Sequence, residues 1–449
     1  MPLGGFCRNV VTGIVLAALA SGASAEGLKD VLASAYSNSP ALKQAQATLR
    51  STDEGVVQAN AAFLPQVSLS GSASRNVTGN QNSATVQLRG SMALYNQSDV
   101  VAIDVAEEAV VGARHQLTST EQDVLLGAIQ AYMQLRQVEE IVRLRENNVK
   151  VIEQELQAAR DRFDVGEITL TDVAQAEAQL AQSQSLLAQA KGDEVRAQEA
   201  FRNAVGRAPK GLSAPGALPG LPSTVQAAKA IANASHPDIL AAQSQVAQAE
   251  LRVARAELAT DVTVDLSGSV GMTSLLNGNT NDSANFSITA TKPVLQGVVV
   301  DAAVRQASAQ RDAARSALLF TQMAVEQQVG AAYARLNVAR ANVQAIEAQV
   351  SAAQIAFDGV REETILGART TLDVLAAEQN LLDARANLVA ANTELVVASY
   401  SVLASIGRLT AAGLKLNVDL YDPEVNYTAV TATSERGSVL DQVLGKIGN

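Results

Sequence analysis

Tryptophan is absent, and aromatic residues make up only 3% of the 449 residues although 47% are hydrophobic. Alanine carries much of that apolar fraction. Small side chains let helices approach closely but bury little area each, so a large round core fits poorly and long helices laid side by side fit well. Basic residues are in deficit: 34 Lys and Arg against 45 Asp and Glu leave a net charge of -11. Nucleic acid as a partner is excluded, because it calls for a basic face, and no basic cluster suits anionic headgroups. Histidine occurs twice, at His115 and His236, and neither has a cluster of partner ligands near it in sequence. With no phosphate-binding glycine loop and no zinc-ligand spacing, an enzyme is not expected, nor any cofactor or metal.

Cysteine occurs once, as Cys7. Beside it Arg8 precedes "VVTGIVLAALA", then "SGASA" and Glu26. A charged start, a short apolar stretch and the small-residue site Ala23-Ser24-Ala25 predict a secretory signal over 1–25, cut after Ala25. Cys7 leaves with it, so the mature chain is expected to carry no disulfide, reactive thiol or acylated cysteine. No later uninterrupted apolar run is long enough for a membrane helix.

What the sequence does have is a duplication. "VGEITLTDVAQAE" at 165–177 and "LGARTTLDVLAAEQ" at 366–379 share G-x-x-T-x-x-D-V, and the step from Asp172 to Asp373 is 201 positions. "AYMQLRQVEE" from Ala131 and "AYARLNVARA" from Ala332 keep that spacing, as do "NAVGRAP" near Gly206 and "ASIGRLT" near Gly407. Upstream, "SPALKQAQ" at 39–46 answers "HPDILAAQ" at 236–243. The period is far too long for a solenoid unit. We therefore expect a first repeat over 26–207, a Pro/Gly-rich connector over 208–223, a second repeat over 224–413, and a weakly patterned tail over 414–449 that wraps the outside or stays partly disordered.

Each repeat has the same order of parts. A helix over about 27–62 or 224–260 comes first. Two alternating stretches follow. Val67, Leu69 and Ala73 alternate with serines, and Val86, Leu88, Met92 and Leu94 with Gln87, Arg89 and Ser91. In the second repeat Val262, Val264, Leu266, Val270 and Met272 alternate, then Phe286 and Ile288. Such alternation predicts four strands with one apolar and one polar face, of the length that crosses a membrane at a tilt. Four strands cannot close a barrel, so a membrane role demands several chains sharing one; soluble hairpins capping a helical bundle are the alternative. A breaker-poor helical tract of about 100 Å follows, near 98–164 and 299–365. The shared phrase and a further helix complete each repeat.

In the phrase, Gly166 and Gly367 suit the left-handed position past a helix end. Thr169 with Asp172, and Thr370 with Asp373, read as capping boxes. The same aspartates at hairpin tips could instead form an acidic ring at the mouth of a tube. Both roles stay open at this level, and one residue can serve both.

The duplication, the helix–strand–strand–helix order and the two glycine hairpins resemble the TolC family of outer-membrane efflux and secretion channels. "GARTTLDVL" is similar to the family's periplasmic-tip motif, and "KPVLQG" at 292–297 resembles its segment after the last strand. The resemblance implies a mainly α fold with membrane β: long helical hairpins plus four strands per chain. Three chains would form a 12-stranded barrel in outer-membrane lipid and a 12-helix periplasmic tunnel. The implied partners are two further copies of the chain, a periplasmic adaptor and an inner-membrane transporter of the RND or ABC class. It places the gate at Asp172, Thr171 and Arg369, and the entrance carboxylate at Asp373. It also marks departures: the gate tyrosine falls on Thr364, a second entrance carboxylate on Ala376, and the first-repeat counterpart of Pro293 is Ala93. A soluble periplasmic coiled-coil or adaptor protein is the alternative function. Cargo, whether drug, protein or polysaccharide, is not written in the chain.

Overall fold

The structure is a computed structural model that describes residues 26–76, 81–275, 280–295 and 298–436. The expected signal segment, with Cys7, and the last two residues of "KPVLQG" lie outside the described residues.

Two helices dominate, α3 (Gln97–Asp164) and α7 (Val298–Ile365), each of 68 residues and hence about 100 Å long. Neither contains proline. The side chain of Asn96 caps α3 by accepting from Ser98 N at 3.1 Å. Each long helix turns back into a shorter one, α4 (Leu170–Val205) and α8 (Thr371–Ser405). Four shorter helices, α1 (Leu28–Asn38), α2 (Pro40–Asn60), α5 (Val225–Ser235) and α6 (Pro237–Glu257), complete the two halves. Along α3, Leu49 and Val56 of α2 pack near Val110, whereas Val173 and Ala176 of α4 pack near Ile152 and Leu156. So α2 and α4 line up along one long helix, and each half is in effect two helical columns.

The expected single helix over 27–62 is two helices, and so is that over 224–260. Proline explains both breaks. It has no N–H, clashes with the carbonyl four residues back and holds the preceding residue extended. Ser39 and His236 accordingly have ψ of 121° and 127°. Ser39 caps α2 by accepting from Leu42 N at 3.3 Å. His236, buried at 5% exposure, accepts from Asp238 N at its Nδ1 at 3.3 Å, which settles it as a packing and capping residue. The two breaks receive the ends of the returning helices. A Cβ on Gly206, just after α4, would lie 2.8 Å from Asn38 Cβ. One on Gly407, near the end of α8, would lie 2.9 Å from His236 Cα.

The largest buried cluster surrounds these junctions and joins all eight helices from α1 to α8. The connector is tied across it by the repeat's own tyrosines. Tyr132 donates to Ser213 O at 2.7 Å, and its counterpart Tyr333 to Pro222 O at 2.8 Å. In the tail, α9 (Pro423–Arg436) lies on α2. Asn426 there donates to the buried Asp53 at 2.7 Å.

At the other end β1 (Gln66–Asn76), β2 (Gln81–Asn96), β3 (Thr263–Leu275) and β4 (Thr280–Thr291) form one antiparallel sheet in sequence order. Register pairs Val67 with Gly90, Gly90 with Gly268 and Gly268 with Phe286, so all four lie on one face. The strands run from 11 to 16 residues, β2 being the longest, with a bulge at Ala93/Tyr95. The apolar face is left open by the described residues: Leu69 is 73% exposed, Phe286 80% and Ile288 68%. Strands β1 and β4 are edges. Helix α8 holds the one window among the described residues that is apolar and long enough to cross a membrane, at mean hydropathy 1.3. Asp383, Arg385 and Glu394 interrupt that helix, so it is not an uninterrupted apolar run. Half of that window is buried against other helices, so its apolarity serves packing.

Candidate gate at the hairpin tips

Both long helices end in the same way. Gly166 (φ 82°) and Gly367 (φ 77°) take the left-handed conformation. Gly166 N donates to Phe163 O and Glu167 N to Arg162 O, each at 2.9 Å. In the second tip Gly367 N donates to Thr364 O at 3.0 Å and Ala368 N to Glu363 O at 2.9 Å. This bond pair closes a helix around a left-handed residue, which glycine adopts at least cost.

The next helices start on reciprocal caps. Asp172 Oδ2 accepts from Thr169 N at 2.9 Å and from Thr169 Oγ1 at 2.8 Å, and Asp172 N donates to Thr169 Oγ1 at 3.3 Å. Asp373 and Thr370 repeat the arrangement at 2.9, 2.8 and 3.2 Å. Bonds from the backbone N–H, then from the threonine hydroxyl, hold both carboxyls below the ordinary aspartate range. Both aspartates are therefore anionic at neutral pH. The valine of the shared phrase faces inward: Val173 is 6% exposed and Val374 2%.

The gate residues are brought to the tips but not all to one another. Thr171 and Arg369 are exposed. Arg369 Nε donates to Glu363 Oε2 at 2.9 Å on its own hairpin, and Asp373 is among the charges acting on it. No bond joins Arg369 to Asp172 or Thr171 among the described residues of one chain. Thr364, at the gate-tyrosine position, is buried and donates to Val360 O of its own helix at 2.8 Å. Glu363 was not singled out in the sequence; only the turn geometry, which puts it two residues before the end of α7 at Ile365, reveals it as the partner of Arg369.

The two hairpins touch above the tips. Leu375 of α8 enters the cluster of Ile152, Leu156, Val173 and Ala176. Asn148 Nδ2 of α3 donates to Glu378 Oε1 of α8 at 3.4 Å, and Arg145 Nη2 lies 3.8 Å from Asp383. These cross-hairpin contacts escaped sequence reasoning because residues 230 positions apart share no periodic signal.

Long antiparallel helical hairpins joined to a small sheet that is apolar and unpartnered on one side define a membrane-attached helical conduit. The model of the "Outer membrane efflux protein" family matches residues 31–207 and 230–408, one match per repeat. The chain belongs to that family. It is 36% identical over 441 residues to the outer membrane efflux protein BepC of Brucella suis, covering 94% of this chain and 95% of that protein. It is 26% identical over 435 residues to the outer membrane protein TolC of Vibrio cholerae, covering 89% and 97%. Among solved structures, CusC superposes with a TM-score of 0.73 at 18% identity, covering 85% of this chain and 92% of that one. The CmeC outer membrane channel of Campylobacter jejuni superposes with a TM-score of 0.73 at 18% identity, covering 90% and 89%. These structural likenesses speak to fold. The family places the chain in the outer membrane, reaching into the periplasm, as an efflux channel protein.

Proposed function

We propose that three chains close one 12-stranded barrel in outer-membrane lipid and one 12-helix tunnel below it. The observation that carries this is the sheet: two unpaired edges and an exposed apolar face on a four-stranded sheet. An open edge in lipid leaves backbone groups unpaired at several kcal/mol each, so the edges must meet those of other chains. Two helical columns per half, two halves per chain and three chains supply the twelve-column wall. The division into repeats over 26–207 and 224–413, joined by the 208–223 connector and followed by the tail, is then the division of that wall.

In this reading the tips face the periplasm and shut the tunnel. Arg369 exchanges Glu363 for Asp172 or Thr171 of a neighbouring hairpin in the closed ring, and Asp373 lines the entrance as an acidic ring. Docking of a periplasmic adaptor and an inner-membrane transporter, RND or ABC, breaks these bonds, which exposure to solvent keeps weak. With Thr364 turned into its own helix and Ala376 in place of a carboxylate, the lock and the ring each have one member fewer.

Single-channel recording in a planar bilayer tests this. The intact protein should give small, cation-preferring steps. Asp373→Ala should lose the preference, and Arg369→Ser should open wider. A folded protein that stays soluble without detergent and conducts nothing would favour the periplasmic coiled-coil alternative.

A further inference from the structure

The Asn148–Glu378 contact is a polar pair buried between the two hairpins, about two turns into α8. Asn148 is 2% exposed and Glu378 9%. An ionised carboxylate only accepts hydrogen bonds, so the amide must turn its Nδ2 toward Glu378. The other end of the amide is then left over: Asn148 Oδ1 has no partner among the described residues. A buried acceptor without a donor is costly. A protonated Glu378 would cure this, since its O–H can donate to Asn148 Oδ1 while its carbonyl oxygen keeps the bond from Nδ2.

We propose that Glu378 and Asn148 form a proton-dependent clamp between the two hairpins, held by two hydrogen bonds when the carboxyl is protonated and by one when it is ionised. Its effect on the tip rests on the channel reading; the clamp itself does not.

The surroundings set its direction. Burial acts most strongly on Glu378 and raises its pKa. The Asn148 bond, Arg385 of α8 and Arg361 of α7 pull it down, and Glu155 of α3 pushes it up. Arg145 of α3 faces Asp383 of α8. From α4, Lys191 and Glu177 are engaged with Glu146 and Arg160 of α3. A raised pKa means that the clamped state holds its proton more tightly than the loosened one. The clamp is therefore strongest in acid and weakens as pH rises through the raised pKa of Glu378. Placed between the hairpins that must part for the tunnel to open, it makes opening harder in an acidified periplasm.

The test uses spin labels at the exposed positions 147 and 380, one on each hairpin, in the full-length protein with Cys7 replaced. The distance distribution should be narrower and shorter at about pH 5 than at about pH 8. Glu378→Gln, whose amide both donates and accepts at every pH, should stay narrow at both. Asn148→Leu, with neither clamp bond, should be broader than wild type at about pH 5 while keeping the fold, checked by its helical circular dichroism. A wild-type distribution unchanged by pH, or a pH response that survives in Glu378→Gln, overturns the clamp. Bilayer recordings on the same samples separate the two proposals. A pH-dependent distance without conductance keeps the clamp and sinks the channel reading. Conductance with a pH-insensitive distance sinks only the clamp.

Discussion

Asp172 and Asp373 carry two jobs that one set of atoms permits. Their Oδ2 atoms accept both cap bonds, while no bond to either Oδ1 occurs among the described residues, so each carboxylate can start its helix and still present charge. The capping job predicts a measurable loss. In Asp172→Ala the turn peptide 165–173 should exchange its amide hydrogens faster than wild type at neutral pH, read by mass spectrometry. Because the folded pKa is depressed, the cap's contribution is present above the unfolded pKa of about 3.9 and lost as pH falls through the lower folded value. The ratio of variant to wild-type exchange should therefore shrink toward one at the acid end, with intrinsic rates cancelling. An unchanged ratio at all pH values would mean that the carboxylate does not hold the turn. Much of this site was legible in residue order alone, since G-x-x-T-x-x-D names a helix stop and a helix start within eight positions. The partner of Arg369 was not, because Glu363 belongs to a periodic helix and nothing in its spacing marks it.

At the scale of elements, the repeat's glycines separate into two kinds that look identical in sequence. Gly367 and Gly407 share a left-handed φ, 77° and 75°, but their surroundings differ. A Cβ at Gly367 meets nothing within 4 Å, so Gly367→Ala costs only backbone strain, roughly 1–2 kcal/mol. A Cβ at Gly407 would lie 2.9 Å from His236 Cα, 3.0 Å from Pro237 Cδ and 3.1 Å from Ser235 O. Those atoms are mostly backbone held at a proline break, so Gly407→Ala should cost a further 1–3 kcal/mol or so. Thermal unfolding should show a markedly lower midpoint for Gly407→Ala than for Gly367→Ala; equal midpoints would mean that the junction is soft. The long helices were readable because they lack breakers and end in glycine. The junction was not. "SPALKQAQ" and "NAVGRAP" were visible as repeated strings, but that Gly206 rests against the break beside Pro40 is a fact of packing, not of pattern.

The whole molecule is incomplete as one chain, and that incompleteness can be tested. Alternation along the strands announced an apolar face, and the structure leaves that face bare with β1 and β4 as its edges. How many copies close the sheet is a property of curvature between chains, which no single sequence spells out. Within a chain β1 and β4 are separated by two strands, about 14 Å at 4.8 Å per step. A disulfide tolerates Cα atoms no more than about 7 Å apart. Any disulfide between a cysteine on β1 and one on β4 therefore joins different chains. Ser68→Cys on the polar face of β1, paired in turn with Ser283→Cys, Asn285→Cys or Ser287→Cys on β4, samples the registers a closed barrel could take. In at least one pair oxidation should yield a reducible species at three times the mass of the chain and none larger, because a ring of three has no edge left to link. A limit at two copies would mean an eight-stranded barrel, a ladder beyond three would mean an open polymer, and monomers in every pair would mean that the sheets never meet.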